Sequence, residues 1–154
     1  MERLAAEGMK FTNAYAHSIC SPTRISLMTG MNVARHKVSY WTLLKNTPND
    51  GPNDSLTAPD WNMNGMSPVK GIENTVYAKA LPEILKENGY YTIHAGKAHF
   101  GARDTPAANP ENIGFNVNIA GGENGAVASF LGTDNFAGSG QGWDTLVRVA
   151  HGME

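Results

Sequence analysis

The chain has 154 residues, a length that suits one domain with a sizeable hydrophobic core. Its composition is that of an ordinary globular protein, with 41% hydrophobic residues, 17% charged residues and a formal net charge of -2. This small charge gives no support for a nucleic-acid or membrane-surface partner, and no apolar run approaches the roughly 20 residues of a membrane span.

The first segment is typical of a helix followed by a strand. Residues 2–7 combine apolar and charged side chains that predict the end of a helix, which stops at Gly8. Residues 9–16, MKFTNAYA, alternate loosely and are rich in β-formers, which predicts a short strand. The charged start does not resemble a secretion signal. A helix this short is marginal alone, so we expect further chain before it in a complete protein.

Residues 18–30, SICSPTRISLMTG, predict a short helix. Ser21 has the side chain of a helix cap, and Pro22 suits the first helical position because its missing N–H costs nothing there. Gly30 is a natural C-terminal stop. We therefore predict a helix that begins at about residue 22 and runs through residue 29.

The only cysteine of the chain, Cys20, would then lie at the N-terminal end of this helix. If the helical geometry extends back to it, Arg24 lies one turn further on, with Cβ atoms about 5 to 6 Å apart. A helix N-terminus attracts anions, and an arginine can bind two oxygens at once. The pattern predicts a nucleophile beside an oxyanion site. A small buried thiol is the alternative, and a disulfide within the chain is excluded because there is no second cysteine.

Residues 46–74 are dominated by turn formers, which predicts a long loop within the domain. Tyr40, Trp41 and Trp61 could give this loop an aromatic face for a sugar or aryl group. Alternatively, these aromatic side chains pin the loop to the core. The tripeptide at 53–55, Asn-Asp-Ser, fits a glycosylation sequon.

A second helix is predicted over residues 81–88, LPEILKEN. Pro82 suits its first position, Ile84 and Leu85 would point inward, and Gly89 would end the helix.

Residues 90–95 predict a strand, and Gly96 begins a turn at its carboxyl end. This turn carries Lys97 and His99, which would point the same way if the segment is extended. A lone Lys-x-His is usually a solvated turn. The order of helices and strands suits an α/β sheet, in which ligand chemistry lies at the carboxyl ends of strands. After residue 104 the sequence returns to glycine-rich loops, none followed by the Gly-Lys-Ser/Thr of a phosphate-binding loop.

Two motifs resemble those of the type I sulfatases, which belong to the alkaline phosphatase superfamily. Residues 20–24, CSPTR, resemble the C-x-P-x-R signature, with Thr23 in place of the commoner serine or alanine. Residues 89–92, GYYT, and 96–99, GKAH, resemble the family's GYxT strand that ends in GKxH, with Ala98 in place of an aromatic residue. The resemblance extends over nearly the whole chain.

The resemblance implies an α/β fold with an alkaline-phosphatase-like mixed sheet flanked by helices. Residues 1–154 would form the N-terminal portion of a catalytic domain whose first strand and C-terminal half are absent. In this family a formylglycine-generating or anaerobic sulfatase-maturating enzyme converts the cysteine to formylglycine (3-oxoalanine). The resemblance implies this for Cys20, with hydrolysis of an aryl or carbohydrate sulfate monoester. It also implies a periplasmic or secreted location for a full-length parent.

The resemblance further implies roles for four residues. Arg24 would orient the formylglycine, Lys97 would bind sulfate oxygens, and His99 would hydrogen-bond the diol or the sulfate. Cys20, as formylglycine, would be a Ca²⁺ ligand whose partner ligands lie outside this chain. The chain alone should therefore have little metal affinity or turnover. His36 is expected to be scaffold.

Three alternatives remain open at this point. The pair at 134–135, Asp-Asn, matches the family's late metal ligands in type but lies much earlier in the chain, so its context argues against a metal role. A formylglycine-dependent phosphonate monoesterase or phosphodiesterase shares the first motif. A non-catalytic module could also use Arg24 and Lys97 to bind an anionic sugar.

Overall fold

The structure is a computed structural model, and it describes residues 1–47 and 61–124. In the second half of this sequence a helix or 3-10 helix lies between most consecutive strands, which is the order of an α/β protein. The elements are α1 (Glu2–Glu7), α2 (Cys20–Thr29), α3 (Val33–His36), β1 (Met66–Ser67), β2 (Val76–Tyr77), α4 (Leu81–Glu87), β3 (Ile93–Ala95) and β4 (Val117–Ile119). Two short 3-10 helices, Pro106–Ala108 and Pro110–Ile113, connect β3 to β4.

The four strands form two parallel pairs. Strand β1 pairs with β2, with Met66 opposite Val76. Strand β3 pairs with β4, with Ile93 opposite Val117. Within the described ranges each pair is a separate two-stranded sheet. The prediction of glycine-rich loops after residue 104 was wrong in part, because this region contains β4 and both 3-10 helices.

A small hydrophobic core joins α2 to the turn that follows β3. Ala98 and Phe100, which flank His99 in this turn, are both buried in the core. The turn is therefore held by packing rather than exposed as a solvated loop. The buried cluster consists of Ile25, Val38, Met66, Ala80, Ala98, Phe100, Ala107 and Ile113.

Helix α2 begins earlier than the sequence predicted. Its first residue is Cys20, and Ile19 is the N-cap, with no side-chain cap. Ser21 is fully buried inside the first turn, so its predicted capping role was wrong, as was the placement of Pro22 at the first position. The predicted end is confirmed, because Gly30 adopts a left-handed conformation with φ 68° and donates its N–H to the Ser26 carbonyl.

The predicted strand over residues 9–16 was wrong. Helix α1 ends at Glu7 before Gly8 as predicted, but the following segment has no strand structure and is exposed throughout. A strand needs a neighbouring strand for its backbone hydrogen bonds, and none of the described strands pairs with this segment. Its β-forming composition was therefore insufficient to define a strand.

The region of the predicted long loop, 46–74, is described in part. Strand β1 lies inside it, which the turn-forming composition did not indicate. Trp61 is buried, with 7% of its surface exposed, so this aromatic residue pins the segment to the core. The sequon at 53–55 lies outside the described residues.

Helix α4 is confirmed in position but not in orientation. Ile84 is 44% exposed, so the prediction that it points inward was wrong. Pro82 is the buried residue of this helix and lies in its first turn. Strand β3 is shorter than the predicted strand over 90–95, and Gly96 follows it with a positive φ of 92° as the start of the turn.

Candidate active site

Arg24 connects the N-terminal half of α2 to the turn after β3. Its Nη1 donates hydrogen bonds to the carbonyl oxygens of Lys97 and Ala98, at 2.5 and 3.3 Å. Cys20 is the first residue of the same helix, one turn before Arg24, and its thiol is free and half-buried. The structure therefore brings the CSPTR helix and the main chain of the GKAH turn together.

A second set of hydrogen bonds joins the same two segments through Thr42. Its backbone N–H donates to Ser21 Oγ at 3.2 Å, and the two hydroxyl oxygens are 3.5 Å apart. His99 Nε2 forms a hydrogen bond with the Thr42 carbonyl oxygen. The N–H of His99 donates to the Gly122 carbonyl at 2.9 Å. The first turn of α2 and the histidine are thus linked through one intervening residue.

The backbone of His99 is not extended, so the predicted geometry of the Lys-x-His turn was wrong. His99 adopts a left-handed conformation with φ 58°, which is uncommon for residues other than glycine. Its side chain is fully buried, whereas Lys97 is only partly buried. The Trp41 ring packs against the imidazole in a T-shaped arrangement, with 6.2 Å between ring centroids. Burial of the flanking side chains holds this conformation in place.

Burial lowers the pKa of His99 from its ordinary value of 6.5 to about 4. The hydrogen bond to the Thr42 carbonyl opposes this shift, the positive charges of Lys97 and Arg24 reinforce it, and the negative charge of Glu123 opposes it. The imidazole is therefore neutral near physiological pH. Its other ring nitrogen, Nδ1, is buried and has no hydrogen-bond partner in the described part of the chain.

An ion pair lies beside the histidine. Arg103 Nε donates to Glu123 Oε1 at 3.0 Å, and the backbone N–H of Arg103 donates to the Leu43 carbonyl at 2.8 Å. Arg103 thus binds Leu43 and Glu123, which directly follow Thr42 and Gly122 in sequence. Thr42 and Gly122 are the residues whose carbonyl oxygens hydrogen-bond with His99. Sequence reasoning missed these residues because no local motif marks them; only the tertiary fold brings them to the turn.

His36, which was predicted to be scaffold, is held inside the fold by hydrogen bonds. It is fully buried, accepts a hydrogen bond at Nδ1 from the Val38 N–H, and contacts Ser26 Oγ through Nε2, both at 3.0 Å. Burial lowers its pKa. These contacts join α3 to the middle of α2.

The described residues do not bring a calcium site together. Calcium takes six to eight oxygen ligands. Within 1–47 and 61–124, no three residues of the types His, Cys, Asp and Glu are grouped closely enough to hold a metal ion. The pair at 134–135 lies outside these ranges. The resemblance implied one metal ligand in this chain, Cys20. The described residues therefore provide no group of further ligands around Cys20.

The structure describes an α/β protein in which the helix that carries Cys20 and Arg24 is hydrogen-bonded, through Arg24, to the main chain of a Lys-x-His turn. A sulfatase family model matches residues 1–142, and the chain belongs to the sulfatase family, as its two motifs predicted. Within the described residues, no helix has the length and apolar character needed to cross a membrane.

Several curated proteins are similar to this chain. An uncharacterised sulfatase of Schizosaccharomyces pombe is 36% identical over 120 residues, which are 78% of this chain and 19% of that protein. Human N-acetylgalactosamine-6-sulfatase is 33% identical over 116 residues, which are 75% of this chain and 19% of that protein. Mouse arylsulfatase J is 31% identical over 101 residues, which are 66% of this chain and 13% of that protein. The chain spans about a fifth or less of the length of these relatives.

Proposed function

We propose that this chain contributes the nucleophile and anion-binding residues of an enzyme that hydrolyses sulfate monoesters. Family membership supports this proposal, as do relatives named N-acetylgalactosamine-6-sulfatase and arylsulfatase. The observation that carries it is the bridge from Arg24 to the main chain of residues 97 and 98, because it joins the two motifs of the family at one place. A periplasmic or secreted location of the complete enzyme is part of the proposal.

Cys20 is proposed to be converted to formylglycine by a formylglycine-generating or anaerobic sulfatase-maturating enzyme. Once formed, this group supplies a hydrated aldehyde whose hydroxyl is the nucleophile toward sulfur. Cys20 fits such a role by position, since it is a free, half-buried thiol at the first residue of a helix. The unpaired N–H groups of a helix N-terminus also favour the negative charge of a sulfate.

The surrounding side chains have separate proposed tasks. Arg24 orients residue 20 and offsets negative charge while it holds the turn. Lys97, which is partly exposed, binds sulfate oxygens as a cation. His99 is buried and neutral, and it is proposed to hydrogen-bond the diol or the sulfate. The family's Ca²⁺ has no matching ligand group in the described residues, so no step is assigned to it.

Two other functions make different demands on residue 20. A phosphonate monoesterase or phosphodiesterase would also need the formylglycine, and the rates of the complete enzyme on a sulfate ester and a phosphodiester would separate it from a sulfatase. A binding module for anionic sugars would need only Arg24 and Lys97, with an unmodified thiol.

The deciding experiment is peptide mass spectrometry over residue 20 after co-expression with a formylglycine-generating enzyme. We expect the mass decrease of thiol-to-aldehyde conversion and reaction of the peptide with a hydrazide probe. Cys20→Ala is the matched control and should show neither. A thiol that stays unmodified under conditions that convert a known sulfatase peptide would contradict the enzymatic proposal and favour the binding module.

A further inference from the structure

The turn of residues 96–99 is attached at both ends to the end of β4 and the segment after it. Gly96 donates its N–H to the Ile119 carbonyl at 2.8 Å, and His99 donates its N–H to the Gly122 carbonyl at 2.9 Å. The course of the turn therefore depends on where these two carbonyl oxygens lie.

Asn118, a buried residue of β4, fixes the shape of this segment. Its Oδ1 accepts the Gly121 N–H at 3.1 Å, and its Nδ2 donates to the Gly121 carbonyl at 2.8 Å. Ala120 has a left-handed backbone with φ 61°, a conformation that a residue with a side chain keeps only when its surroundings hold it. Gly122, the acceptor for the His99 N–H, directly follows Gly121. The side chain of Asn118 thus determines where this acceptor lies.

His94, a buried residue of β3, holds Asn118 from the neighbouring strand. Its Nδ1 lies 3.2 Å from the same Asn118 Oδ1. The two bonds to Gly121 fix which end of the amide faces the imidazole, and an amide oxygen only accepts, so Nδ1 carries the ring hydrogen. The imidazole packs in T-shaped contacts against Phe100 and Phe115, with 5.6 and 5.2 Å between ring centroids. Packing therefore fixes the orientation of this donor.

The contacts around His94 reach the main chain of the turn. A Cβ on Gly121 would lie 2.3 Å from Asn118 Oδ1 and 2.6 Å from His94 Nδ1, so only glycine permits this approach. Burial lowers the pKa of His94, hydrogen bonds to Asn118 and to the Lys97 backbone oppose this shift, and the charge of Arg24 reinforces it. The imidazole is therefore neutral near pH 7 and lies near the Arg24 bridge to the turn.

We propose that His94 and Asn118 are positioning residues that hold the turn of residues 96–99, and with it Lys97, in place through Gly121 and Gly122. Neither residue belongs to the motifs at 20–24, 89–92 and 96–99. The consequence for the reaction rests on the proposed function, in which Lys97 binds sulfate oxygens. Loss of the pair should loosen the turn and weaken sulfate binding, although it removes no group that is proposed to touch the sulfate.

The tautomer of His94 tests this arrangement in the unaltered 154-residue chain. Long-range ¹H–¹⁵N correlation spectroscopy of the imidazole rings near neutral pH shows which ring nitrogen is protonated. We expect Nδ1 of His94 to carry the hydrogen, whereas a histidine in water carries it mostly on Nε2. The His94 signals are identified by their loss in His94→Phe. A His94 without a hydrogen on Nδ1 would overturn the proposal without any further variant.

The hold on the turn is tested by amide hydrogen exchange in Asn118→Leu. This substitution keeps a side chain of similar size and removes the hydrogen bonds to Gly121 and His94. We expect exchange at the His99 N–H to become faster by about tenfold or more, relative to the amides of α4.

Asn116→Leu is the matched control. Asn116 Oδ1 accepts hydrogen bonds from the N–H and the Oγ1 of Thr92, at 3.0 and 3.1 Å. These bonds join the same two segments at the opposite end of the β3–β4 pair, away from the turn. The substitution should leave the ratio of His99 exchange to α4 exchange unchanged.

Affinity for inorganic sulfate separates positioning from mere stabilisation. It is measured from the shift of the Lys97 amide signal during titration with sulfate, and Lys97→Gln serves to show that the binding needs this side chain. We expect Asn118→Leu to raise the Kd by about threefold or more, because a loosened site must be ordered on binding. Asn116→Leu should keep the Kd of the unaltered chain.

The remaining outcomes are also decisive. A folded Asn118→Leu chain whose His99 exchange or sulfate affinity matches that of Asn116→Leu would overturn the positioning role. If Asn118→Leu does not fold, His94→Phe keeps an aromatic ring and removes one hydrogen bond, and the same comparison applies to it. A Lys97 signal that sulfate does not shift in the unaltered chain would contradict the proposed function, whereas the tautomer and the exchange rates still decide whether the pair holds the turn.

Discussion

Arg24 has a structural task in addition to its proposed catalytic one. Its guanidinium donates to two main-chain carbonyls of the turn that carries Lys97, and these bonds cross 73 and 74 positions of the sequence. A charged donor bound to carbonyl oxygens is among the stronger hydrogen bonds in proteins. A substitution at this residue therefore changes both the stability of the turn and the charge of the site.

We expect Arg24→Lys to lower the free energy of unfolding by about 1.5 to 3 kcal/mol, the range for hydrogen bonds to charged groups. Lysine keeps the charge but cannot reproduce the planar fork of the guanidinium. Urea denaturation followed by circular dichroism measures the change. Arg35→Lys, at an exposed position in α3, is the control and should shift the unfolding free energy by less than about 0.5 kcal/mol. Equal effects of the two substitutions would show that the Arg24 contacts do not stabilise the chain.

The buried neutral state of His99 makes stability depend on pH. Its pKa falls from 6.5 to about 4 on folding, so between these values the unfolded chain binds a proton that the folded chain does not. Stability is thus lost as the pH falls through this window, by about 3 kcal/mol from His99 alone. His36 and His94, whose pKa values are also lowered by burial, act in the same direction.

We expect His99→Gln to lose this part of the pH dependence, because glutamine keeps a donor for the Thr42 carbonyl and does not titrate. Urea denaturation at about pH 7 and about pH 4.5 measures the difference between the two proteins. A decrease of stability on acidification that is as large in the variant as in the unaltered chain would be inconsistent with a depressed His99 pKa.

At the scale of elements, the segment around β1 holds the turn of the site from the other side. Gly65 forms an antiparallel bridge with Gly101, and the Met66 N–H donates to the Phe100 carbonyl at 3.0 Å. A Cβ on Gly65 would lie 2.4 Å from the Phe100 carbonyl oxygen, at a residue with a φ of 83°. Glycine is required here both for the backbone conformation and for the close approach.

Gly65→Ala should therefore destabilise the chain more than Gly30→Ala does. Gly30 has a φ of 68°, but a Cβ added there would meet no atom within 4 Å, so alanine costs only the left-handed strain of about 1 to 2 kcal/mol. Gly65→Ala adds the clash, for a further 1 to 3 kcal/mol or so, by analogy with overpacked sites. Thermal unfolding of the two variants compares them, and a Gly30→Ala change equal to or larger than the Gly65→Ala change would contradict this account.

Local sequence signals were sufficient to predict only some of the helices and strands. The glycine after α2 and the proline and glycine around α4 located these helices, because capping and φ preferences act over a few residues. Strand β4 was not predictable in this way. It is stabilised by pairing with β3, and Asn118 fixes it further by hydrogen bonds to His94 and to the backbone of Gly121.

The sequence likewise predicted only part of the candidate site. The chemical types at Cys20, Arg24, Lys97 and His99 were apparent from two motifs, and their proposed roles remain predictions. The left-handed backbone of His99 and its bond to Thr42 were not apparent, since both depend on contacts between residues 57 positions apart. Non-local contacts of this kind leave no periodicity or spacing in the sequence.

At the scale of the whole molecule, the chain corresponds to a minor part of each relative, about a fifth or less of its length. A sulfatase site as the family resemblance describes it also needs a metal with several oxygen ligands. Among residues 1–47 and 61–124, no three candidate ligands are grouped. The proposed anion binding at α2 is therefore expected to be separable from metal binding in this polypeptide.

We expect the purified 154-residue chain to bind Ca²⁺ weakly and to hydrolyse an aryl sulfate little or not at all, even after conversion of Cys20. Tight binding needs a dense group of oxygen ligands. A ligand that binds the folded state raises the unfolding temperature, and at a given ligand concentration the rise is larger for tighter binding. Thermal unfolding with and without Ca²⁺, with Mg²⁺ as the control for ionic strength, measures the first expectation, and release of 4-nitrophenol from its sulfate ester measures the second. A saturable Ca²⁺-specific rise in unfolding temperature, or turnover that Cys20→Ala abolishes, would show that these 154 residues assemble a working site by themselves.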